Sequence, residues 1–147
     1  MKRTKQIIIY TLIAISTSMN VQAQSKSKIF GTWYNVEQTA KIEIMKIDRE
    51  IIGKIIWIDQ QSAQGEQLID VANSDSTLRA RPLMGLTILK ARNYKKGVWQ
   101  CGQVYDPESG IAYACEVMLK GKDVLEVKGF LGDSWVSRTV EWNRVEE

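Results

Sequence analysis

The stretch Val98-Trp99-Gln100-Cys101-Gly102-Gln103-Val104-Tyr105-Asp106-Pro107-Glu108-Ser109-Gly110-Ile111-Ala112-Tyr113-Ala114-Cys115-Glu116-Val117-Met118-Leu119-Lys120 decides the fold. Two runs rich in β-branched and aromatic residues, 98–105 and 111–120, flank a five-residue punctuation. Such residues favour pleated, half-buried chain. Asp106, Pro107 and Gly110 meet the demands of a type I turn followed by a left-handed residue. The stretch therefore reads as an antiparallel hairpin, and turn chemistry accounts for its acidic residues without an acidic site.

The same pattern extends in both directions. Strands are predicted near 30–36, 40–47, 50–58, 86–94, 98–105, 111–120, 124–131 and 134–143, with almost no helical periodicity. Asp48-Arg49, Lys95-Lys96-Gly97, Gly121-Lys122-Asp123 and Gly132-Asp133 make tight connections, which imply antiparallel neighbours in chain order. The expected fold is all-β, an eight-stranded antiparallel up-and-down barrel. Closure removes the edges that a flat sheet would expose. A two-sheet sandwich is the competing architecture.

Register inside the first hairpin follows from its turn. Pairing Tyr105 with Ile111 sets Cys101 opposite Cys115, Gln103 beside Tyr113 and Trp99 beside Val117, on one mostly apolar face. Directly opposed residues lie about 4.5–5.5 Å apart, within disulfide reach. Either a Cys101–Cys115 bridge or two buried thiols acting as small hydrophobes follows. There is no C-x-x-C, and so no redox motif. Gln103 is the polar member of that face. It either addresses a ligand or bonds Tyr113 and a trapped water.

The N-terminus sets the compartment. Lys2, Arg3 and Lys5 precede an apolar run from Ile7 to Ile15, and Val21-Gln22-Ala23 supplies a small-residue cleavage site. Residues 1–23 read as a secretory signal peptide cleaved before Gln24, which leaves 24–147 as a single domain. The apolar run is shorter than the roughly 20 residues a spanning helix needs. No Cys follows the cleavage site, which argues against a lipid anchor. The expected location is the periplasm or the outside of the cell, with no membrane span. Gln24 to Lys28 form a polar lead-in, expected to be mobile.

Charge and composition narrow the chemistry. The chain has 20 basic and 17 acidic residues, and three of the basic ones lie in the leader, so the remainder is formally neutral. Such a chain lacks the basic footprint of a nucleic-acid partner. It has no histidine, which excludes His-based triads, imidazole shuttles and His-ligated zinc. No cofactor, metal or catalytic residue is indicated, and an enzyme is the least favoured class.

One connection is long, from Asp59 to Gly85. Loops of that length are usually functional or carry structure of their own. Ser74 or Asp75 can cap a short helix through Thr77, Leu78, Arg79 and Ala80, which Pro82 stops. The segment is expected to lie as a lid across one barrel mouth. Arg79 and Arg81 on it form either a guanidinium fork for a ligand anion or an ion pair with Asp70, Asp75 or Asp106. Asn73, Asp75 and Thr77 have an i, i+2, i+4 spacing, but Leu78 and Met84 stand where a calcium loop needs Gly and Glu. Asx-turns and capping explain those residues.

Gly31-Thr32-Trp33 opens the first strand and resembles the entrance motif of lipocalins. That resemblance implies a Trp plugging the closed end of the barrel, with an Arg of the last strand stacked over it. Arg144 ends the last strand beside the start of the first, so it is the expected partner of Trp33. Arg138 shares its parity but lies about 20 Å along the strand.

A broader resemblance covers nearly the whole chain after the leader. The runs Leu78-Arg79-Ala80-Arg81-Pro82-Leu83-Met84-Gly85-Leu86-Thr87-Ile88-Leu89 and Tyr105-Asp106-Pro107-Glu108-Ser109-Gly110 resemble the signature of an exported bacterial family, domain of unknown function 2147. Gly53-Lys54-Ile55-Ile56-Trp57, Leu125-Glu126-Val127-Lys128-Gly129 and Arg138-Thr139 add to it. The resemblance implies a lipocalin-like barrel and export, and no defined chemistry. Two departures stand out. Met45, Ile51 and Ile52 occupy positions where the family often has Cys, and Ser74 and Ser76 stand where its lid often has Pro.

The expected function is non-catalytic binding of a small apolar or amphipathic ligand inside the barrel. Trp57, Trp99, Gln103 and Tyr113 would line the site, and Arg79 or Arg81 would anchor the ligand. Trp135 and Phe130 join the aromatic candidates, although alternating aromatics in a small barrel equally form packed core. The alternative is an envelope protein-interaction module with a filled barrel. Ile42, Ile44, Ile52, Ile56 and Ile58 would then give an exposed apolar patch if the opposite parity faced inward.

Overall fold

The computed structural model describes residues 26–59, 68–132 and 137–146, apart from the side chain of Cys101. The expected leader with its expected cleavage site before Gln24, and Trp135, lie outside the described residues. Nine strand segments follow in order: β1 (Gly31–Tyr34), β2 (Ala40–Ile47), β3 (Glu50–Ile58), β4 (Thr87–Ala91), β5 (Asn93–Lys95), β6 (Val98–Asp106), β7 (Ile111–Lys120), β8 (Val124–Phe130) and β9 (Ser137–Arg144). The segments β4 and β5 are two halves of one predicted strand, parted at Arg92, so the barrel has eight staves. Each stave pairs antiparallel with the next.

Closure comes from β1 on β9, through Trp33↔Arg144 and Tyr34↔Asn143. The sheet is thus one closed meander rather than two stacked layers. Turns at 48–49, 96–97 and 121–123 gather with the start of β1 at one end, the plug end. The 35–39 turn, the long connection after β3 and the 107–110 turn gather at the other, the lid end.

Alternation along the strands builds the core. Trp33, Ile42, Ile44, Ile51, Ile55, Leu89, Ala91, Trp99, Val117, Leu125, Val127 and Trp142 are all buried. The apolar patch expected from Ile42, Ile44 and Ile52 on the outside does not form, because all three are buried. Ile42 and Ile44 share the packed face with Ile51 and Ile55, and of the five isoleucines Ile56 is the one markedly exposed.

The β6–β7 hairpin departs from its expected register. Trp99 faces Val117 as predicted, but Gly102 faces Cys115, Gln103 faces Ala114, Val104 faces Tyr113 and Asp106 faces Ile111. A β-bulge between Trp99 and Gly102 inserts one extra residue. A one-residue slip turns every following side chain to the other face. Hence Gln103 is exposed rather than inward, and it does not adjoin Tyr113. The Cys101–Cys115 bridge is corrected for the same reason: Cys115 is a free, buried thiol whose cross-strand neighbour is Gly102.

Gly102 is the residue that makes this bulge fit. A Cβ there would sit 2.8 Å from both the Cys115 carbonyl oxygen and Sγ, and 3.0 Å from the Lys90 carbonyl oxygen. Gly102 therefore lies where β4, β6 and β7 press together. Gly102→Ala is expected to destabilise the fold by about 1–3 kcal/mol through overpacking, read as a lower urea midpoint.

Candidate functional site

The plug end is organised by Arg144. Its Cζ lies 4.1 Å from the centre of the Trp33 ring, a cation–π stack on a fully buried indole. Its Nη1 donates to the Phe30 carbonyl at 3.1 Å, Nη2 to that of Lys28 at 2.6 Å and Nε to that of Lys122 at 2.9 Å. Asp123 Oδ1 lies 3.8 Å from Nε. The planar fork thereby joins the N-terminal segment, the β7–β8 turn and the plug. Trp33 Nε1 donates to the Ile29 carbonyl at 3.0 Å. Lys28, the last residue of the expected mobile lead-in, is therefore built into the end of the barrel together with Ile29, which is buried. Arg138 is exposed and faces Gly129, well away from Trp33.

Against this plug lies a cleft of about 210 Å³, lined by Lys28, Ile29, Tyr94, Gly97, Trp99, Met118, Leu119 and Gly121. Tyr94 and Trp99 pack with ring centres 5.2 Å apart. Lys26 Nζ lies 4.9 Å from the Trp99 ring centre and 5.6 Å from that of Tyr94. The Trp99 indole N–H is buried with no hydrogen-bond partner among the described residues. A buried donor left unmatched costs about 1–3 kcal/mol.

The lid end is organised by Asp70, whose side chain is fully buried. Tyr105 Oη donates to its Oδ1. Asn73 Nδ2 donates to Oδ2 at 2.8 Å, as do Arg81 Nε and Nη2. Asn73 also reaches Tyr105 Oη at 3.0 Å, and Arg81 lies over the Tyr105 ring at 5.3 Å. Burial alone would raise the Asp70 pKa. The donors Tyr105, Asn73 and Arg81, with the Arg81 charge, outweigh it and hold the carboxyl below its ordinary range. Burial and the Asp70 carboxylate push Tyr105 the other way, upward.

This network seats the lid on the barrel. Of the three carboxylates open to Arg81, Asp70 is its partner. Arg79 is exposed, with Nε on the Asn73 carbonyl at 2.8 Å. The expected helix is a single 3₁₀ turn, Ser76–Leu78, capped by Asp75. Gly110 receives the lid closely, since a Cβ there would meet the Ala72 carbonyl oxygen at 1.8 Å.

The structure thus separates the residues grouped by sequence. Trp99 lines the plug-end cleft, and Arg81 is committed at the lid end. Trp57 is 39% exposed, edge-on to Tyr34, with Lys41 over both rings. Tyr113 is half-buried opposite Val104. Sequence reasoning missed Lys28, Tyr94, Met118 and Leu119 as cleft residues. Their common signal is position beside tight turns at one barrel end, which becomes visible once strand order is known.

A barrel closed by β1 on β9, with a GxW tryptophan under a last-strand arginine, is the lipocalin-like arrangement. The model of the family described as uncharacterised proteins conserved in bacteria, DUF2147, matches residues 31–144. The chain belongs to the DUF2147 family. Among curated proteins none matches. A solved structure, protein HP1028 from the human pathogen Helicobacter pylori, described as a member of the lipocalin family, is similar in fold. Its TM-score is 0.67 at 17% identity, over 81% of this chain and 84% of that one. This DUF2147 chain is therefore a lipocalin-like barrel. Among its described residues no helix is long and apolar enough to cross a membrane.

Two outcomes test the lid network and the buried thiol. Asp70 is held below its unfolded value, so its stabilisation is complete above about pH 4 and is lost as pH falls through the folded pKa. The stability gap between wild type and Asp70→Asn is expected to narrow from pH 6 to pH 3 in urea titrations. At pH 6, Tyr105→Phe is expected to cost about 1.5–3 kcal/mol by removing a bond to a buried charge. Burial pushes the Cys115 thiol up to about 12. Alkylation of the native protein at pH 8, read by peptide mass, is therefore expected to leave Cys115 unmodified.

Proposed function

We propose that this DUF2147 protein is exported and binds a small, partly apolar molecule without transforming it. The plug-end cleft carries the reading. Its floor is apolar and aromatic, from Ile29, Tyr94, Trp99, Met118 and Leu119, and one ammonium, Lys28, stands in its lining. Small-ligand sites join apolar side chains to a few polar groups, and here polar atoms take at least as much of the surface as the apolar ones. The volume of about 210 Å³ is below the drug-sized range but above the roughly 150 Å³ of an apolar cavity that takes benzene. It suits a molecule with one ring or a short branched chain. Packed side chains occupy the barrel centre, which supports a site at the plugged end over one in the middle of the barrel. Export rests on the leader at residues 1–23.

Native mass spectrometry of protein purified from its own envelope fraction tests both parts. The expected result is a chain beginning at Gln24 with one small molecule retained, and that molecule lost in Leu119→Trp, which fills the cleft. An empty wild-type protein that also retains nothing from a panel of single-ring compounds would refute the reading.

A contact surface is the second reading, favoured by Val36, Val71, Met84, Ile111 and Leu131, which stand exposed at the lid end. Self-association is its simplest form. Sedimentation that shows one concentration-independent monomer, unchanged in a Val71→Asp, Met84→Asp double variant, would remove that form.

A further inference from the structure

We infer that the plug-end cleft selects a small organic anion, a single ring or short branched chain bearing one carboxylate. This rests on the binding reading above and adds the ligand's charge. No acidic residue lines the cleft, while Lys28 does. Lys26 Nζ stands 4.9 Å from the Trp99 ring that forms part of the floor. The two lining glycines sit in turns that carry further cations, Lys96 before Gly97 and Lys122 after Gly121. The nearby carboxylate, Asp123, lies 3.8 Å from Arg144 Nε, whose charge opposes it.

A chain that is neutral beyond its leader therefore has a locally positive rim over an apolar floor. Lys28, Gly97 and Gly121 are exposed, so a carboxylate at the rim stays partly hydrated and pairs with ammonium groups. The ring or alkyl part descends onto Ile29, Trp99, Met118 and Leu119. That arrangement avoids the large desolvation penalty of a fully buried ion. A cation would meet like charges at the same rim, and a neutral molecule would gain the floor alone.

The test is a titration of the full mature chain with benzoate and with benzamide, which share size and shape but differ in charge. The readout is the Trp99 indole N–H resonance, assigned with Trp99→Phe. Benzoate is expected to bind about two- to fivefold more tightly than benzamide, the range an exposed ion pair contributes. That preference is expected to fall to near unity in a Lys26→Met, Lys28→Met double variant whose thermal midpoint is unchanged, and to shrink in high salt. Equal binding of the two probes would overturn the anion inference and leave the binding reading standing. A Trp99 resonance that moves with neither probe at millimolar concentration would overturn both at this cleft.

Discussion

The stack of Arg144 on Trp33 is the interaction on which the rest of the structure depends. A barrel must join its first and last strands, and here that seam is short, with two paired positions against eight between β2 and β3. Few ladder hydrogen bonds hold it. The guanidinium of Arg144 makes up the deficit at the seam itself, covering the buried indole and taking three backbone carbonyls from two other segments. Those carbonyls belong to Lys28, Phe30 and Lys122, so the same side chain that closes the barrel also holds Lys28 of the cleft lining and the turn that follows Gly121. Lysine could not substitute, because a point charge lacks the planar fork that meets several acceptors while stacking.

The lid end solves a related problem with different chemistry. A long connection has no ladder to satisfy its backbone or hold its position, so it needs a few strong contacts. Asp70 provides them by accepting from β6 through Tyr105 and from the lid itself through Asn73 and Arg81. Burying a carboxylate is tolerable only when its acceptor capacity is filled by well-placed donors and a counter-charge, and Asp70 meets both conditions. The consequence for function is direct. The arginine most suited to bind a ligand anion at that mouth is already spent on Asp70.

Much of this was legible in the sequence, and the parts that were not share a cause. Strand order, tight turns and closure follow from local patterns, since each hairpin announces itself within a few residues. The position of Arg144 follows from antiparallel geometry alone, because the end of the last strand must lie beside the start of the first. The inner face of β6 was not legible in the same way. One extra residue near Gly102 reverses parity from there to the turn, and it dissolved both the Cys101–Cys115 pair and the inward Gln103. A glycine inside a strand is the usual mark of such a bulge or of close backbone approach, and Gly102 is both. The cleft was hidden for another reason. Its residues come from the N-terminal segment, β5, β6 and β7 and the turns around them, so no window of sequence contains them.

The two ends therefore divide the molecule's chemistry unequally. At the lid end the strongest polar groups satisfy one another, and Asp70, Asn73, Tyr105 and Arg81 have little left to offer a ligand. At the plug end Arg144 is likewise committed, but the lysines around it form no ion pair among the described residues apart from Lys120, which Glu126 and Glu141 hold. Specific recognition needs groups whose potential is not already cancelled inside the protein. By that criterion the proposed site belongs at the plugged end, where these lysines stand without ion-pair partners among the described residues, rather than at the mouth beneath the lid.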